Sequence, residues 1–242
     1  MPDAIFADPR LAVLYDALDP DRSDLDVYAA MAAALGARSV LDIGCGTGTF
    51  ACRLAASGLA VTGVDPAEAS LAVARAKPGA EAVRWLLGDA TSLPPLQVDL
   101  ATMTGNVAQV FTTDDEWSAT LSGVRAALRP GGRLVFETRD PAKQAWRAWT
   151  REQTQIRADI PGVGVVWRWA ELTGVTGELV SFRMSTVFDA DGTVLTSDST
   201  LRFRDRDEVA DSLAALGYRL DEVRDAPDRP VLEFVFVARR PP

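Results

Sequence analysis

The sequence predicts an α/β fold: an open, doubly wound and mostly parallel sheet of seven strands, with an antiparallel β insert after the fifth strand. Three observations lead to this fold class. Apolar strand-like runs alternate with helical segments over residues 39–138, a glycine-rich turn follows the first of these strands, and short alternating segments replace the pattern after about residue 150. Alternation of strands and helices favours parallel pairing, because each right-handed crossover places a helix on one face of the sheet.

The first predicted element is an amphipathic helix over residues 24–35, where an acidic start precedes apolar residues at helical spacing and Gly36 ends the pattern. A short apolar run at residues 39–43 predicts the first strand, and the GCGTGTF turn leads from it into a helix over residues 50–57. The other predicted strands are 60–64, 82–87, 98–104, 133–138, 218–224 and 231–238, and the other predicted helices are 67–76, 114–128 and 205–216.

The predicted insert covers residues 151–204. Apolar and polar side chains alternate along residues 165–169 and 180–186, and Asp191-Gly192 fits a hairpin turn between two strands. A segment of this size buries too little apolar surface to be a convincing independent domain. We therefore expect it to be a lid attached to the main domain.

Composition excludes several classes of protein. The 242 residues are 48% hydrophobic and 24% charged, a mix typical of globular chains and not of disordered or fibrous ones. No run reaches the roughly 18 apolar residues of a membrane span, and the N-terminus lacks the pattern of a signal peptide. We expect a cytoplasmic protein without a membrane partner. The net charge of -9 comes without a basic stripe, so we expect no nucleic-acid partner.

The chain contains two cysteines, Cys45 and Cys52, and no histidine. This set provides neither a disulfide framework nor a zinc site, and no Asp-rich ligand set stands out beside the strand ends. We therefore expect no metal. Because imidazole is the commonest general base, any proton transfer must rely on other groups.

The most informative segment is VLDIGCGTG, residues 40–48, at the end of the first predicted strand. Gly44, Gly46 and Gly48 permit positive φ angles and the close approach of a ligand. Their spacing is G-x-G-x-G, whereas a dinucleotide-binding turn requires a further glycine where this chain has Thr49. This departure disfavours a pyrophosphate ligand.

Two carboxylates near this turn indicate the kind of ligand. Asp42, two residues before Gly44, would face the pocket, where its charge favours an ammonium group over a phosphate. Asp65 ends the second strand and could accept hydrogen bonds from both hydroxyls of a ribose, although a single acid at a strand end could also be a turn or cap residue. Together the two acids predict a nucleoside with a positively charged tail that lacks phosphate.

Over residues 39–140 the chain resembles the class I S-adenosylmethionine-dependent methyltransferases of the small-molecule type. VLDIGCGTG resembles their first motif, GVDPAEASLAVAR their acidic second-strand motif, LLGDATSLP their adenine-contacting motif, and LRPGGRLVFET the turn and strand after the fourth helix. Four motifs in order are much more specific than a glycine turn alone. The resemblance implies a Rossmann-like sheet and S-adenosyl-L-methionine as the cofactor.

The resemblance also implies roles for individual residues. The amides of the glycine turn and the carboxylate of Asp42 would hold the methionyl end of the cofactor, and Asp65 would hold the ribose. Asp89 and the amide of Ala90 would contact the adenine, and Met103 would line the pocket near the acceptor. The full set of implied cofactor-binding residues is Asp42, Gly44, Cys45, Gly46, Gly48, Asp65, Asp89, Ala90 and Met103. No residue is assigned to catalysis.

Candidates on the acceptor side are less specific. Tyr15-Asp16 resembles a tyrosine–aspartate pair that small-molecule members fold over the cofactor, but a tyrosine at helical spacing with Leu11 and Leu14 could equally be core. Trp146 and Trp149 are three apart on a helix predicted after Pro141, and with Trp167 and Trp169 of the insert they make up four of the six tryptophans. They could form the wall of an apolar acceptor pocket or simply pack the sheet on a helix. The candidate substrate-binding residues are Tyr15, Asn106, Arg139 and Trp146.

The class of acceptor follows from two comparisons within the family. Methyltransferases of nucleic-acid bases resemble one another in an Asn/Asp-Pro-Pro-Tyr/Phe tetrad, whereas residues 104–107 read Thr-Gly-Asn-Val. The insert resembles that of glycine-type and amino-sugar N-methyltransferases, where it covers the acceptor or joins subunits. The resemblance thus implies a small-molecule acceptor, favours nitrogen and suggests a homodimer formed through the insert. It divides the chain into an N-terminal helical segment over 1–38 that covers the site, a core of 39–150 and 205–242, and the insert 151–204.

Methyl transfer from a sulfonium is an in-line displacement, so positioning and exclusion of water matter more than covalent help. An amine acceptor must be neutral when it reacts although its free pKa is about 10.4, so desolvation or a nearby carboxylate must favour loss of the proton. The sequence leaves two alternatives open: a non-catalytic cofactor-binding or scaffold protein, and an NAD-linked oxidoreductase, which Thr49 and the absence of a Tyr-x-x-x-Lys pair disfavour.

Overall fold

The computed structural model describes residues 1–242. Its helices are α1 (Ala4–Ala7), α2 (Pro9–Ala12), α3 (Tyr15–Leu18), α4 (Asp24–Ala34), α5 (Thr49–Ala56), α6 (Glu68–Arg75), α7 (Asp114–Ala127), α8 (Arg151–Thr154) and α9 (Arg206–Ala215). Its strands are β1 (Ser39–Ile43), β2 (Ala60–Asp65), β3 (Val83–Leu87), β4 (Val98–Met103), β5 (Leu128–Arg139), β6 (Ile156–Ile160), β7 (Gly164–Thr176), β8 (Leu179–Phe188), β9 (Val194–Arg202), β10 (Arg219–Asp225) and β11 (Glu233–Arg239). No helix is long and apolar enough to cross a lipid bilayer.

The central sheet has seven strands in the order β10-β11-β5-β4-β1-β2-β3. Strands β1 to β5 are parallel, while β11 runs antiparallel to β5 and β10 antiparallel to β11. This confirms the predicted mostly parallel, doubly wound sheet. Because the chain proceeds from β1 to β2 in one direction and later adds β4 on the other side, the carboxyl ends of β1 and β4 flank a topological switch point, where α/β proteins bind ligands.

Helices cover both faces of this sheet, because alternate side chains of a strand point to opposite sides. On one face, Tyr28 of α4 and Phe50 of α5 share a buried cluster with Val40 of β1. On the other face, Leu121 of α7 packs in the cluster that contains Leu41. Val40 and Leu41 are both fully buried, as expected for a parallel strand between two layers of helices. We call the face with α4 and α5 the α5 face.

Strand β5 is longer than predicted. It begins at Leu128, directly after α7, and so includes the RPGG segment that was expected to be a turn before the strand. Gly131 has φ +82°, and the register between β4 and β5 shifts between Val98 and Leu100. The segment is therefore an irregular start of the strand, in which glycine provides the left-handed backbone conformation.

The insert forms a second, four-stranded antiparallel sheet in the order β6-β7-β8-β9, which confirms the predicted antiparallel texture. One face of this sheet, the inner face, presents Val166 and Phe188 to the N-terminal helices, where they cluster with Leu11 and Leu14. Arg168 lies on the same face two residues further along β7, where it pairs with Thr186 of β8. The N-terminal helices therefore link the insert to the rest of the molecule.

The segment between β5 and the insert differs from the prediction. Trp146 and Trp149 were expected on an α-helix, but residues 141–148 form two short 3₁₀ turns separated by Gln144, which has φ +49°. Since the left-handed residue interrupts the chain direction, no helical face forms there. The positions of Trp146 and Trp149 therefore depend on their packing partners and not on a shared helical face.

Candidate functional site

The glycine turn lies at the carboxyl end of β1 and leads directly into α5. Gly44, Gly46 and Gly48 all have positive φ, at +65°, +53° and +78°. A Cβ on Gly44 would lie 2.6 Å from Val107 Cγ2, and one on Gly48 would lie 2.5 Å from the Trp85 ring, whereas a Cβ on Gly46 would meet no protein atom within 4 Å. Packing thus requires the outer two glycines, while the middle one borders open space that a ligand could enter.

Cys45 lies inside this turn and is buried. Burial raises the pKa of its thiol, and the nearby carboxylates of Asp42 and Asp65 raise it further. The thiol therefore stays protonated and is unsuited to act as a nucleophile. Its backbone N–H donates to the carbonyl of Val64, 3.2 Å away, beside the Gly44 N–H at 2.9 Å, so these two amides tie the turn to β2.

Asp42 lies on β1 just before the turn and is 1% exposed. Its Oδ1 accepts a hydrogen bond from Thr102 Oγ1 of β4 at 2.9 Å, whereas its Oδ2 is buried without a partner. Burial raises the pKa of Asp42 to about 7, with the charge of Asp65 adding to the effect. The nearby cation, Arg22, forms its ion pair with Asp24 instead. An unpartnered buried carboxylate oxygen is costly, so this oxygen is suited to a donor such as an ammonium group.

Asp65, at the end of β2, is 7% exposed and holds the turn from the other side. Its Oδ2 accepts the Gly46 N–H at 2.8 Å and its Oδ1 accepts the Ala67 N–H at 2.8 Å. Burial raises the pKa of this carboxyl, while the two amides oppose the shift. Each carboxylate oxygen can accept a second hydrogen bond, so ribose hydroxyls could still bind here.

The next two predicted residues follow β3. Asp89 is exposed, and its Oδ1 accepts the Thr91 N–H at 2.8 Å and the Thr91 hydroxyl at 2.6 Å, so it also acts as a turn residue. Ala90 is buried, and its carbonyl lies so close to α7 that a Cβ on Gly123 would approach it to 1.9 Å. The close approach of α7 to this loop therefore depends on Gly123, which the sequence analysis did not identify.

Met103 lies at the carboxyl end of β4, as predicted, but its side chain has no exposed surface. It belongs to the cluster beneath α7, with Leu121 and Phe136. Thr102 faces Asp42, and successive side chains of a strand point to opposite faces of the sheet. The Met103 side chain therefore points away from Asp42, toward the layer that contains α7. The structure does not bring the Met103 side chain to the surface of the site.

The N-terminal segment lies against the glycine turn. Asp16 Oδ1 accepts hydrogen bonds from Thr47 Oγ1 at 2.7 Å and Thr49 Oγ1 at 3.1 Å, and Asp16 Oδ2 forms an ion pair of 2.6 Å with Lys77 Nζ. The neighbouring Tyr15 packs on Phe6 with ring centroids 5.8 Å apart, and burial raises the pKa of its hydroxyl. The Tyr15-Asp16 pair is thus placed beside the turn, with Asp16 making the direct contacts.

Asn106 and Arg139 come together at the carboxyl ends of β4 and β5, in a buried polar cluster with Glu137 and Glu233. Glu137 Oε1 accepts the N–H of Gly105 at 2.6 Å and that of Asn106 at 3.1 Å. Glu233 pairs with Arg229 at 2.8 Å and with Arg139 at 3.6 Å. Asn106 adopts φ +62°, an uncommon backbone conformation that these contacts hold in place.

The tryptophans separate into two groups. Trp149 packs on Phe182 of the inner face, with ring centroids 4.7 Å apart, and Trp146 packs on Phe203 at 4.6 Å. Trp167 and Trp169 alternate with Arg168 on β7 and therefore lie on the opposite face of the insert. Only Trp146 and Trp149 lie between the insert and the main domain, where the Arg139 guanidinium is 5.8 Å from the Trp149 ring.

Sequence reasoning missed Glu137 and Glu233. Each is a charged residue in an otherwise apolar strand, Glu137 in LVFET and Glu233 in LEFVFVA. Both are about 95% buried, and Glu137 is held beside the loop that follows β4. An isolated acid inside a predicted buried strand was the available signal, since such a residue is rarely buried without a partner or a function.

The residues that are present fit an adenosyl sulfonium with an amino-acid tail. The unpartnered Asp42 Oδ2 suits its ammonium group, the open space at Gly46 suits the close approach of a ligand to the backbone, and Asp65 retains capacity for hydroxyl donors. No group of three or more histidine, cysteine or acidic side chains is arranged to hold a metal ion. The arrangement is suited to binding and positioning.

Comparison with known proteins gives the same picture. Residues 40–132 match the methyltransferase domain family. The cypemycin N-terminal methyltransferase of Streptomyces sp is 34% identical over 110 residues, which are 45% of this chain and 45% of that protein. The chain thus matches less than half the length of the first curated relatives.

Two solved structures share the fold over nearly the whole chain. The sugar N-methyltransferase KedS8 from Streptoalloteichus sp ATCC 53650 has a TM-score of 0.79 at 20% identity, covering 95% of this chain and 92% of the other. The amino pentose methyltransferase CalS10 from Micromonospora echinaspora, solved with S-adenosylmethionine bound, has a TM-score of 0.71 at 24% identity, covering 94% and 96%. Residues 40–132 therefore match a methyltransferase domain, and the chain as a whole shares the fold of these two methyltransferases.

Proposed function

We propose that the protein is a methyltransferase that transfers the methyl group of S-adenosylmethionine to a small-molecule acceptor, with nitrogen favoured over oxygen. The observation that carries the proposal is the buried carboxylate of Asp42, whose Oδ2 has no partner at the end of the glycine turn. An ammonium group would satisfy this oxygen, whereas a pyrophosphate would be repelled by it. The match of residues 40–132 to the methyltransferase domain family supports the same proposal.

The bound cofactor would supply an electrophilic methyl group on a sulfonium. In this proposal, Asp42 and the glycine-turn amides hold the methionyl end, Asp65 the ribose, and Asp89 with Ala90 the adenine. Asn106, Arg139, Tyr15 and Trp146 would contact the acceptor or shape its pocket. Catalysis would come mainly from holding the acceptor nitrogen about 3 to 3.5 Å from the methyl group and excluding water.

The preference for nitrogen rests on the insert and on the named neighbours. Two solved neighbours with the same fold are named as a sugar N-methyltransferase and an amino pentose methyltransferase. The relative from Streptomyces is named as an N-terminal methyltransferase. The chain's own carboxylates at the strand ends are compatible with an acceptor that arrives as an ammonium ion and must lose a proton.

Titration calorimetry of the purified protein with S-adenosylmethionine and, separately, with NAD tests the proposal. We expect saturable binding of S-adenosylmethionine and no binding of NAD. We also expect S-adenosylhomocysteine to form with at least one member of a panel of small amines, alcohols and carboxylates. The proposal would be refuted if NAD bound and S-adenosylmethionine did not. Binding of S-adenosylmethionine without methyl transfer across the panel would favour a non-catalytic cofactor-binding protein.

The ribose-binding role proposed for Asp65 is tested with Asp65→Ala. Each lost hydrogen bond to a charged acceptor costs roughly 1.5 to 3 kcal/mol, so we expect affinity for S-adenosylmethionine to fall at least about tenfold while the protein stays folded. Asp99→Ala is the matched control, because Asp99 Oδ2 accepts the N–H groups of Arg38 and Ser39 at the opposite end of the sheet. It should lose stability but keep its affinity. An unchanged affinity in folded Asp65→Ala would remove Asp65 from the site.

We also propose that residues 1–38 cover the site and that the insert, residues 151–204, covers the acceptor or joins two subunits. The contacts of Asp16 with the glycine turn support the first part. The exposed apolar residues on one face of the insert support the second; they are Ile156, Leu172 and Val175.

Light scattering during gel filtration tests the homodimer. We expect a dimer that dissociates when Leu172 and Val175 are both replaced by aspartate, because a charge in an apolar contact is costly to desolvate. The control is Val13→Asp, which places the same charge at an exposed position outside the insert. A monomeric wild-type protein would rule out the dimer.

A further inference from the structure

Glu137 lies on the same face of the sheet as Asp42, and both residues are near the carboxyl ends of their strands. In the register of the parallel strands, Asp42 pairs with Thr102 and Thr102 with Val135. Residues paired across a sheet point to the same side, and so do residues two apart along one strand. Glu137 follows Val135 by two positions, so its side chain shares the α5 face with the Asp42 carboxylate, two strands away.

The loop that Glu137 holds contacts the glycine turn. Glu137 Oε1 accepts the N–H groups of Gly105 and Asn106, and the next residue, Val107, would be 2.6 Å from a Cβ on Gly44. The loop therefore closes against the turn that is proposed to hold the methionyl part of the cofactor. Glu137 lies next to that part of the site and outside the set of residues assigned to the cofactor.

Two buried hydrogen-bond acceptors at this position have no donor. Glu137 Oε2 and Asn106 Oδ1 are both inaccessible to solvent and unpartnered, in side chains that are 5% and 4% exposed. The orientation of the Asn106 amide follows from its Nδ2, which lies 3.4 Å from Glu233 Oε2, an acceptor. A ligand that satisfies both free oxygens must donate at least two hydrogen bonds. An ammonium or primary amine does so from one nitrogen, whereas a hydroxyl donates only one.

The charges around Glu137 leave it without a cation of its own. Glu233 of β11 is paired with Arg229 and Arg139, and no ion pair involves Glu137. The other ionised groups that act on it are Asp228, before β11, and the same two arginines, which are engaged with Glu233. Burial, reinforced by the charge of Glu233, raises the pKa of Glu137 to about 7. This carboxylate can therefore take up a proton near neutral pH.

We propose that Glu137 binds the acceptor amine and removes its proton, Oε2 of Glu137 and Oδ1 of Asn106 accepting hydrogen bonds from the acceptor nitrogen. The inference rests on the proposed function and assigns the substrate class of that site: a primary aliphatic amine that arrives as an ammonium ion. The ammonium gives one proton to the Glu137 carboxylate and becomes a neutral amine. Its lone pair then forms the N–CH₃ bond as the S–CH₃ bond breaks and the sulfur keeps the electron pair. The methylated product leaves as an ammonium ion, and water that follows it into the site takes the proton from Glu137.

Glu137→Gln separates this role from a structural one. The glutamine Oε1 can still accept the N–H groups of Gly105 and Asn106, so the loop is retained, while the second oxygen becomes an NH₂ donor that cannot accept a proton. Glu222→Gln is the matched control, because it removes the same charge from an exposed position on β10 of the same sheet. Circular dichroism verifies that both variants fold.

Binding is measured by calorimetry on protein saturated with S-adenosylhomocysteine, with ethanolamine, propylamine and cyclohexylamine as probes, because simple aliphatic amines like the lysine side chain stay protonated up to about pH 9.5. We expect the wild type and Glu222→Gln to bind at least one probe, and Glu137→Gln to bind it at least about tenfold more weakly. Affinity of all three proteins for S-adenosylmethionine should agree within about twofold. In the wild type, binding of the ammonium probe should strengthen about tenfold between pH 6 and pH 8, as the carboxyl ionises. This second measurement applies even if Glu137→Gln does not fold.

Methyl transfer to the probe that binds gives a signature that a structural role would not produce. A positioned general base contributes about 10² to 10⁴ in rate, so we expect Glu137→Gln to be about a hundredfold slower at pH 7.5. The deficit should shrink about tenfold for each pH unit up to about pH 9.5, because the variant depends on amine that has already lost its proton in solution.

The outcomes distinguish the two proposals. If the wild type does not bind S-adenosylmethionine, the proposed function itself is refuted. If S-adenosylmethionine binds normally, any of three outcomes would overturn the role of Glu137 alone. Either no probe binds the wild type, or Glu137→Gln binds and reacts like Glu222→Gln, or the rate deficit of Glu137→Gln is constant from pH 7.5 to 9.5.

Discussion

Asp42→Asn should bind S-adenosylmethionine at least about thirtyfold more weakly than the wild type and yet, without ligand at pH 7.5, resist unfolding better. Asparagine keeps the acceptor for Thr102 Oγ1 but places an NH₂ group where the unpartnered carboxylate oxygen lies. An ammonium group would then meet a donor in place of an anion, and loss of one buried charge-assisted hydrogen bond costs roughly 2 to 3 kcal/mol.

The gain in stability follows from proton linkage. Burial raises the pKa of Asp42 from its usual 3.8 to about 7. Between pH 3.8 and about pH 7 the Asp42 carboxyl is therefore still protonated in the folded protein but has already lost its proton in the unfolded chain. The free energy of unfolding therefore falls as the pH rises from about 3.8 to about 7, and the burial of Asp42 does not lower it at more acidic pH. Asparagine carries no such proton, so the variant should gain up to about 4 kcal/mol at pH 7.5 and less than about 1 kcal/mol at pH 4.

Urea unfolding at both pH values, together with calorimetry, checks these two effects. Asp99→Asn is the matched control, since Asp99 has hydrogen-bond donors for its carboxylate at the other end of β4 and should be less stable than the wild type at pH 7.5. Equal cofactor affinity in Asp42→Asn and the wild type would show that Asp42 does not hold the ammonium group. Equal stability at pH 7.5 would show that its burial is not costly.

Gly46→Val should abolish measurable binding of S-adenosylmethionine, a loss of more than about a hundredfold, in a protein that still folds. A Cβ at Gly46 meets no protein atom within 4 Å, so the side chain would occupy the space proposed for the ligand without colliding with the protein. Valine at φ +53° also strains the backbone, at roughly 1 to 3 kcal/mol.

The control variant is Gly58→Val, at the end of α5. Gly58 has φ +87° and also no protein atom within 4 Å of a Cβ, so valine there imposes comparable strain away from the turn. Both variants should lose similar stability in thermal unfolding, and only Gly46→Val should lose the ligand in calorimetry. Parallel losses of affinity in the two variants would mean that strain, and not occupation of the ligand's space, is responsible.

Local patterns were sufficient for most of the main domain. The spacing of apolar residues predicted α4 to within one residue at its carboxyl end, and the strand–glycine turn–helix pattern predicted β1 and α5. These elements bury their own periodic faces, as with Tyr28 and Phe50, so their sequences already contain the required information. Where a left-handed residue interrupts the chain, as at Gln144, the same reasoning predicted a helix that does not form.

The candidate site divides in a similar way. The positions of Asp42, Asp65 and the glycines follow from a contiguous motif and one strand end, and the structure places them together around one turn. The acceptor side could not be derived in this way, because Glu137, Asn106 and Glu233 come from three segments separated by 31 to 127 positions along the chain. Their contacts depend on strand order and register, which no local pattern specifies.

By itself the sequence determined the fold class, the glycine turn and the two acids that favour an adenosyl sulfonium over a pyrophosphate, because these depend on residue type and on short spacings. Only the tertiary structure decided which polar atoms remain without partners once strands and loops are packed. That property arises from burial by distant segments, which leaves Asp42 Oδ2 and Glu137 Oε2 out of reach of both water and protein donors. Whether an acid is a solvated cap or a buried group with a raised pKa is a consequence of that packing.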